Sequence, residues 1–220
     1  MTPSHKKPIT ATKMAARTAI ILLVFVAIFT GFLSGAYLWT RPAIETAANE
    51  ERMKLIDEVL PRALYDNKLL RDTTTLAATP ALGQDGPTIV YRSRKANQPV
   101  ALVFEAIAPD GYAGKIRLLI AARPDGTLLG VRVTQHKETP GLGDYIEPKK
   151  DKNKARPWIT QFDGTNPATG TEREWKVKKD GGHFDSMAGA TVTPRAVIKA
   201  VRKAILHVVA NREALFASQP

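Results

Sequence analysis

Asp185-Ser-Met-Ala-Gly-Ala-Thr191-Val-Thr-Pro194 is the stretch whose residue types point most directly to chemistry. Gly189 and Ala190 leave almost no side-chain bulk beside the Thr191 hydroxyl, and an amphipathic helix pattern begins immediately afterwards. Thr193 reads as the N-cap of that helix. Pro194 reads as its first residue, where a missing N–H costs nothing. Backbone N–H groups at a helix start lack intrahelical acceptors and sit at the positive end of the helix dipole, so a phosphoryl group on or near Thr191 would be held favourably. The same residues also suit a plain helix cap, and local chemistry alone does not separate the two.

A second block, His136-Lys-Glu-Thr-Pro-Gly-Leu-Gly143, lies some fifty residues upstream. With Asp185 placed six residues before Thr191 and with Gly189-Ala190-Thr191 closing the signal, the chain resembles a known flavin-attachment family. This is the FMN-binding domain shared by the G subunit of the Rnf electron transport complex and the C subunit of the sodium-translocating NADH:quinone oxidoreductase. The upstream block matches the family's His-x-Glu-Thr-Pro-Gly-Leu-Gly loop at every fixed position. Leu60-Pro61, Tyr65-Asp66-Asn67, Gly111-Tyr112 with Gly114, and Trp158-Ile159 with Phe162 match as well. The resemblance covers nearly the whole chain, and the Tyr-Asp-Asn block, the glycine loop and the modest length look more like the Rnf G subunit. Ala188 departs from the pattern, since the family usually has Ser or Thr there.

The resemblance implies FMN carried covalently on Thr191 through a phosphoester. It also implies a separate flavin transferase that reads Asp185 and the small residues Gly189 and Ala190. Such a domain would relay electrons between other membrane and peripheral subunits of a complex coupling ferredoxin and NAD chemistry to ion movement. No complete active site and no catalytic residue are then expected in this chain alone. A flavin needs a phosphate anchor, flat surfaces against its ring and hydrogen bonds to its redox-active nitrogens. Thr139, Gly141, Leu142 and Gly143 offer backbone approach and one apolar surface, and His136 and Glu138 offer hydrogen bonds. The plain alternative is a strand-ending turn in which Pro140 and Gly143 only set the chain direction. Trp158 and Trp175 read as core or edge packing. An anchored scaffold domain without cofactor is the rival from another functional class.

Composition narrows the setting. There is no cysteine, which removes disulfides, iron–sulfur ligation and thiolate chemistry, so redox work falls to a bound organic cofactor. Thr18 to Thr40 holds no charged residue and is bracketed by Arg17 and Arg41. A helix of that length reaches about 34 Å, enough to cross a bilayer's hydrocarbon core. Tyr37 and Trp39 stand where an interfacial aromatic belt would be. Lys6, Lys7, Lys13 and Arg17 precede the span with no acid among them, which by the positive-inside rule leaves residues 1–17 cytoplasmic and the rest of the chain periplasmic, at a bacterial inner membrane. A cleaved signal peptide, with Ser34 and Ala36 at the cleavage spacing, is the competing reading and exports the domain equally. Gly31-x-x-x-Gly35 offers a close-packing helix face or a chance spacing.

The net charge of +11 falls to +7 beyond residue 40 and is dispersed there. No nucleic-acid role follows, because the densest basic run, Lys149 to Arg156, lacks interleaved aromatics and reads as a solvated insertion, with a contact to anionic lipid or an acidic partner surface as the alternative.

The exported part reads as one α+β domain, a mostly antiparallel sheet with helices packed against it. Alternation places strands at Thr88 to Arg94, Val100 to Ala106, Ile116 to Ala122 and Leu128 to Gln135. Pro109-Asp110-Gly111 and Pro124-Asp125-Gly126 read as turns, Pro157 to Phe162 as a short helix, and Trp175 to Val177 as a further strand. The terminal helix is expected from Pro194 to about Leu215. The divisions are then a tail at 1–17, a transmembrane helix at 18–40, a helical and irregular connection at 41–86 and the FMN-binding domain at 87–220.

Overall fold

The apolar run forms helix α1, Ala11–Asp57, in a computed structural model that describes residues 11–217. Lys6 and Lys7 of the basic tail lie outside the described residues. The chain divides into two compact units at Glu50 and Glu51. Among the described residues of the first unit, every large apolar side chain is exposed, and the apolar stretch is long enough to cross a membrane. A Cβ added at Gly31 or Gly35 would meet nothing within 4 Å among the described residues. Pro42 removes one helical donor just past the apolar run, while the Thr40 and Thr46 hydroxyls donate back to the carbonyls of Ala36 and Pro42 at 2.9 Å.

The second unit is built on one antiparallel sheet of five strands in chain order. These are β1 (Thr73–Leu76), β2 (Thr88–Lys95), β3 (Gln98–Gly111), β4 (Gly114–Ala122) and β5 (Leu128–Gln135). The period of two splits β3 cleanly. Leu102, Phe104, Ala106 and Ala108 join one core, while Ala101 and Val103 join another. On the first face lies helix α2 (Val192–Ala210), which buries Val197, Val201, Ile205 and Val208, each side chain contributing about 1.5–3 kcal/mol. Trp158, Phe162, Trp175 and Phe184 continue that core as a chain of ring contacts, with Phe162 and Phe184 centroids 4.8 Å apart. On the second face, Ile56, Val59, Leu60 and Leu69 cover Tyr91, Val103 and Leu119. The central strands are buried on both sides, so their apolar runs are nearly continuous.

Four expectations are corrected. The stretch from Asp66 to Gly86, read as irregular, contains β1, whose Thr73 to Leu76 pair with Tyr91 to Thr88. Its three threonines carry strand propensity but no apolar alternation, and pairing with β2 supplies the order. Pro109-Asp110-Gly111 is not the turn. A register shift between Ala108 and Gly111 absorbs the proline and lets β3 continue, and the chain reverses at Tyr112-Ala113. Trp175 to Val177 makes no strand but one parallel bridge from Val177 to Phe184, because a 3₁₀ turn at Lys178–Asp180 follows at once. The terminal helix begins at Val192, with Thr191 rather than Thr193 at the N-cap position. It also breaks at Asn211, whose side chain donates to the His207 carbonyl at 2.8 Å, before helix α3 (Arg212–Phe216).

The basic run from Lys149 to Arg156 keeps its lysines exposed while Asp151 turns inward and accepts the Trp158 N–H at 2.6 Å. Trp158 and Trp175 are core residues.

Candidate functional site

Three segments remote in sequence meet at one end of the sheet: the β3–β4 hairpin tip, the loop after β5 and the start of α2. Between them lies a cleft of about 220 Å³ lined by Tyr112, Glu138, Thr139, Leu142, Gly143, Gly189, Ala190, Val192 and Thr193. Three apolar side chains are left exposed around it: Tyr112 at 70%, Leu142 at 50% and Val192 at 45%. Soluble surfaces rarely group such residues without a ligand to cover them. Two larger concavities, of about 530 and 430 Å³, are lined chiefly by charged and polar side chains around Arg156, Asp185, Lys199 and Lys203, and neither presents this apolar rim.

The loop ahead of α2 is a tight turn in which the Ala190 N–H donates to the Met187 carbonyl at 3.1 Å. Gly189 takes φ +82°, a conformation an L side chain resists, and Ala188 stands exposed at the corner. Tyr145 pins the turn from beneath, accepting the Met187 N–H and donating to the Ala190 carbonyl, both at 3.3 Å. Burial pushes the Tyr145 phenol up, with the Met187 N–H working in the opposite direction, so it stays a protonated donor. Thr191 is half-buried, and its Oγ1 accepts a 3.3 Å bond from Arg195 Nη1. The N–H groups of Val192 and Thr193 occupy helix positions with no intrahelical acceptor, and Pro194 has none to offer. Asp185 is exposed and pairs with Lys178 at 2.6 Å, while its main chain is fixed by Gln161 and Trp158.

The loop after β5 is organised around a buried carboxylate. Glu138 accepts the Ala113 N–H on Oε1 at 3.1 Å and the Thr193 hydroxyl on Oε2, which joins the hairpin tip, the glycine loop and α2 through one side chain. That hydroxyl is why Thr193 lies inside the first helical turn instead of capping it. Gly143 makes room for the arrangement, since a Cβ there would stand 2.8 Å from Glu138 Oε2 and 3.0 Å from Thr193 Oγ1. Asp144, also buried, accepts the Gly141 N–H at 2.8 Å, and the Thr139 carbonyl accepts from Leu142 and Gly143. His136 is committed to the chain itself: Nδ1 accepts the Glu138 N–H at 3.1 Å and Nε2 faces Glu147 at 3.3 Å. Partial burial works against the Glu147 charge, but hydrogen bonds from Lys150 and His136 outweigh it and hold that carboxyl below its usual range.

Of the residues singled out by sequence, Glu138, Thr139, Leu142, Gly143, Gly189 and Ala190 line the cleft and Thr191 stands between two that do. His136 and Gly141 support the loop from behind, and Asp185 faces the 530 Å³ concavity instead. Tyr112, Val192 and Thr193 line the cleft without having been assigned to it, and Arg195, which lines the 430 Å³ concavity, reaches the Thr191 hydroxyl from that side. A tyrosine at a hairpin tip and an isolated valine between two threonines were the available signals. Arg195 carried none, since a basic residue in a helix's first turn reads as solvated surface.

The cleft combines exposed apolar side chains with the start of α2, where N–H groups without intrahelical acceptors suit a phosphate. A family model for the FMN-binding domain matches residues 111–206, from the hairpin tip through most of α2. The fold is therefore that of an FMN-binding domain following a membrane-length helix. The chain is 44% identical over 203 residues to the G subunit of the ion-translocating oxidoreductase complex of Pseudomonas aeruginosa, covering 92% of each chain. It is 39% identical over 206 residues to the protein of the same name from Pseudoalteromonas atlantica, covering 94% of each, and 44% identical over 195 residues to that from Cronobacter sakazakii, covering 89% of this chain and 90% of the relative. The chain belongs to the family formed by the G subunits of ion-translocating oxidoreductase complexes.

Proposed function

We propose that this chain is a membrane-anchored electron-transfer subunit whose FMN is joined to Thr191 through a phosphoester. The carrying observation is that Thr191 stands between Ala190 and Val192, both of which line the apolar-rimmed cleft, at the start of α2, where the Val192 and Thr193 N–H groups have no intrahelical acceptor. FMN supplies reversible one- and two-electron chemistry when bound. The chain's own residues do the rest. Leu142, Tyr112 and Val192 provide apolar surface for the ring, Thr139 and Gly143 bring backbone close to it, and Glu138 holds the three segments together. Covalent attachment keeps the cofactor on a domain outside the cytoplasm, where a released flavin would be diluted away.

The protein works with the other subunits of an Rnf-type complex that couples electron flow between ferredoxin and NAD to ion translocation. A flavin transferase acts during maturation, reading the exposed Asp185 and the small residues Gly189 and Ala190. The anchor spans residues 18–40 of a bacterial inner membrane, with residues 1–17 cytoplasmic and the compact FMN-binding unit, which begins at Glu51 and includes β1, periplasmic.

Co-expression with a flavin transferase tests this reading. Denatured wild-type chain should fluoresce as a flavoprotein on a gel and gain the mass of FMN minus water, whereas Thr191→Ala should do neither. Wild type without flavin would favour a cofactor-free scaffold, and fluorescence retained in Thr191→Ala would move the attachment site.

A further inference from the structure

Arg195 lies one helical turn after Thr191, and helical side chains lean toward the N-terminus, so its guanidinium is carried over the Thr191 hydroxyl. It does not hang free. Asp180, from the Lys178–Asp180 turn, accepts from Nε at 2.7 Å on Oδ2 and from Nη2 at 2.7 Å on Oδ1, a planar two-point fork. That hydrogen bond holds the Asp180 carboxyl below its usual range.

A guanidinium has five N–H donors, and the fork uses two of them. The Nη1 group is left pointing at Thr191 Oγ1, at a loose 3.3 Å. Both partners of the fork are well exposed, with side chains 44% and 32% accessible, and such pairs add little to folding. Orientation of Arg195 is then the main consequence of Asp180. The first turn of α2 holds no acid, although a helix start favours one, and places a cation there instead.

We propose that Arg195, aimed by Asp180, is the phosphate subsite of the flavin linkage. This rests on Thr191 being the FMN acceptor. A phosphodiester on Thr191 keeps one negative charge, shared by two non-bridging oxygens attached one bond beyond Oγ1. Nη1, already 3.3 Å from Oγ1, is the nearest cation donor to which they could bond. Because the fork has removed most of the guanidinium's freedom beforehand, the charged hydrogen bond forms at little further entropic cost and sets the direction in which the linkage leaves the helix.

The test uses the full chain in membranes, co-expressed with a flavin transferase, as wild type, R195Q, R195K and D180N. Two quantities are read: flavin per chain by intact mass at early times, and the ³¹P resonance of the linkage in purified, detergent-solubilised protein. R195Q should attach flavin about tenfold more slowly, the loss expected for a charge-assisted hydrogen bond, and shift the resonance of the fraction that carries flavin. R195K should recover part of both, and D180N, with the cation present but unaimed, should fall between. Urea unfolding of the flavin-free R195Q chain should match wild type, since the fork adds little to stability. If R195Q does not fold, D180N carries the same two readouts.

Wild-type attachment and an unshifted resonance in R195Q would overturn the assignment while leaving Thr191 as acceptor. A loss in R195Q that R195K does not relieve at all would overturn it too, because charge would not be the property required. Absence of flavin from wild type would overturn both readings.

Discussion

The two loops that wall the cleft reach it by opposite means. The loop after β5 is held from inside: Glu138 and Asp144 are buried, the contacts that shape it are hydrogen bonds to its own backbone, to Ala113 and to Thr193, and His136 is consumed in its support. The loop before α2 is held from its margins. Tyr145 pins one turn, Lys178 pairs with Asp185, and the corner at Ala188 and Gly189 stands in solvent. The difference is clearest in two threonines two positions apart. Thr193 is buried and bonded to a carboxylate, so its hydroxyl is structural; Thr191 is half-buried with one long hydrogen bond, so its hydroxyl is free to be modified. Under the proposed function, the internally bonded wall would hold the ring and the accessible one would admit the transferase.

Exchanging the roles of the threonines would break this contrast most sharply. Thr191→Ala should abolish covalent flavin with no measurable change in urea unfolding, while Thr193→Val should retain flavin and lose about 1–3 kcal/mol as Glu138 Oε2 is left without its donor. Mass spectrometry and urea titration of both variants decide it. Next in size is Glu138→Ala, which strands the Ala113 N–H and the Thr193 hydroxyl together; a loss of about 3 kcal/mol in urea unfolding is expected, with flavin loading falling as a consequence of the loosened cleft.

Alanine at the two glycines sharpens the comparison further. Gly143→Ala drives a Cβ against Glu138 and Thr193 and should cost about 1–3 kcal/mol, whereas Gly189→Ala meets no atom and bears only the strain of its φ of +82°, about 1 kcal/mol. Thermal melts of the flavin-free variants separate a packing cost from a backbone cost. Smallest is Ala188→Ser, which should leave stability within about 0.5 kcal/mol because the side chain stands in solvent. Its readout is flavin occupancy: an increase marks Ala188 as a position the transferase reads, and no change removes it from the signal.

Much of the fold was legible because its signals are local. The alternation of β2 to β5 gave strand positions to within a few residues, and the charge-free run from Thr18 to Thr40 announced a long helix. The failures also share a cause. β1 is ordered by its partner strand, Pro109 is rescued by a register shift, and Thr193 leaves its capping role because a carboxylate 55 residues away claims its hydroxyl. None of these partners is visible in a window of sequence.

The site divides along the same line. Residue types marked Thr191, the small residues beside it and the glycine loop as candidates, and the resemblance to a flavin-attachment family favoured a phosphoester there over a plain helix cap. Packing alone could make Glu138 the tie between three segments, engage both nitrogens of His136 with its own chain, bring Tyr112 and Val192 to the cleft, and lay Arg195 against the Thr191 hydroxyl. The reason is physical. A side chain's chemistry is carried by its own atoms, but whether that chemistry faces a ligand or is used internally depends on which distant atoms the fold places within hydrogen-bond reach.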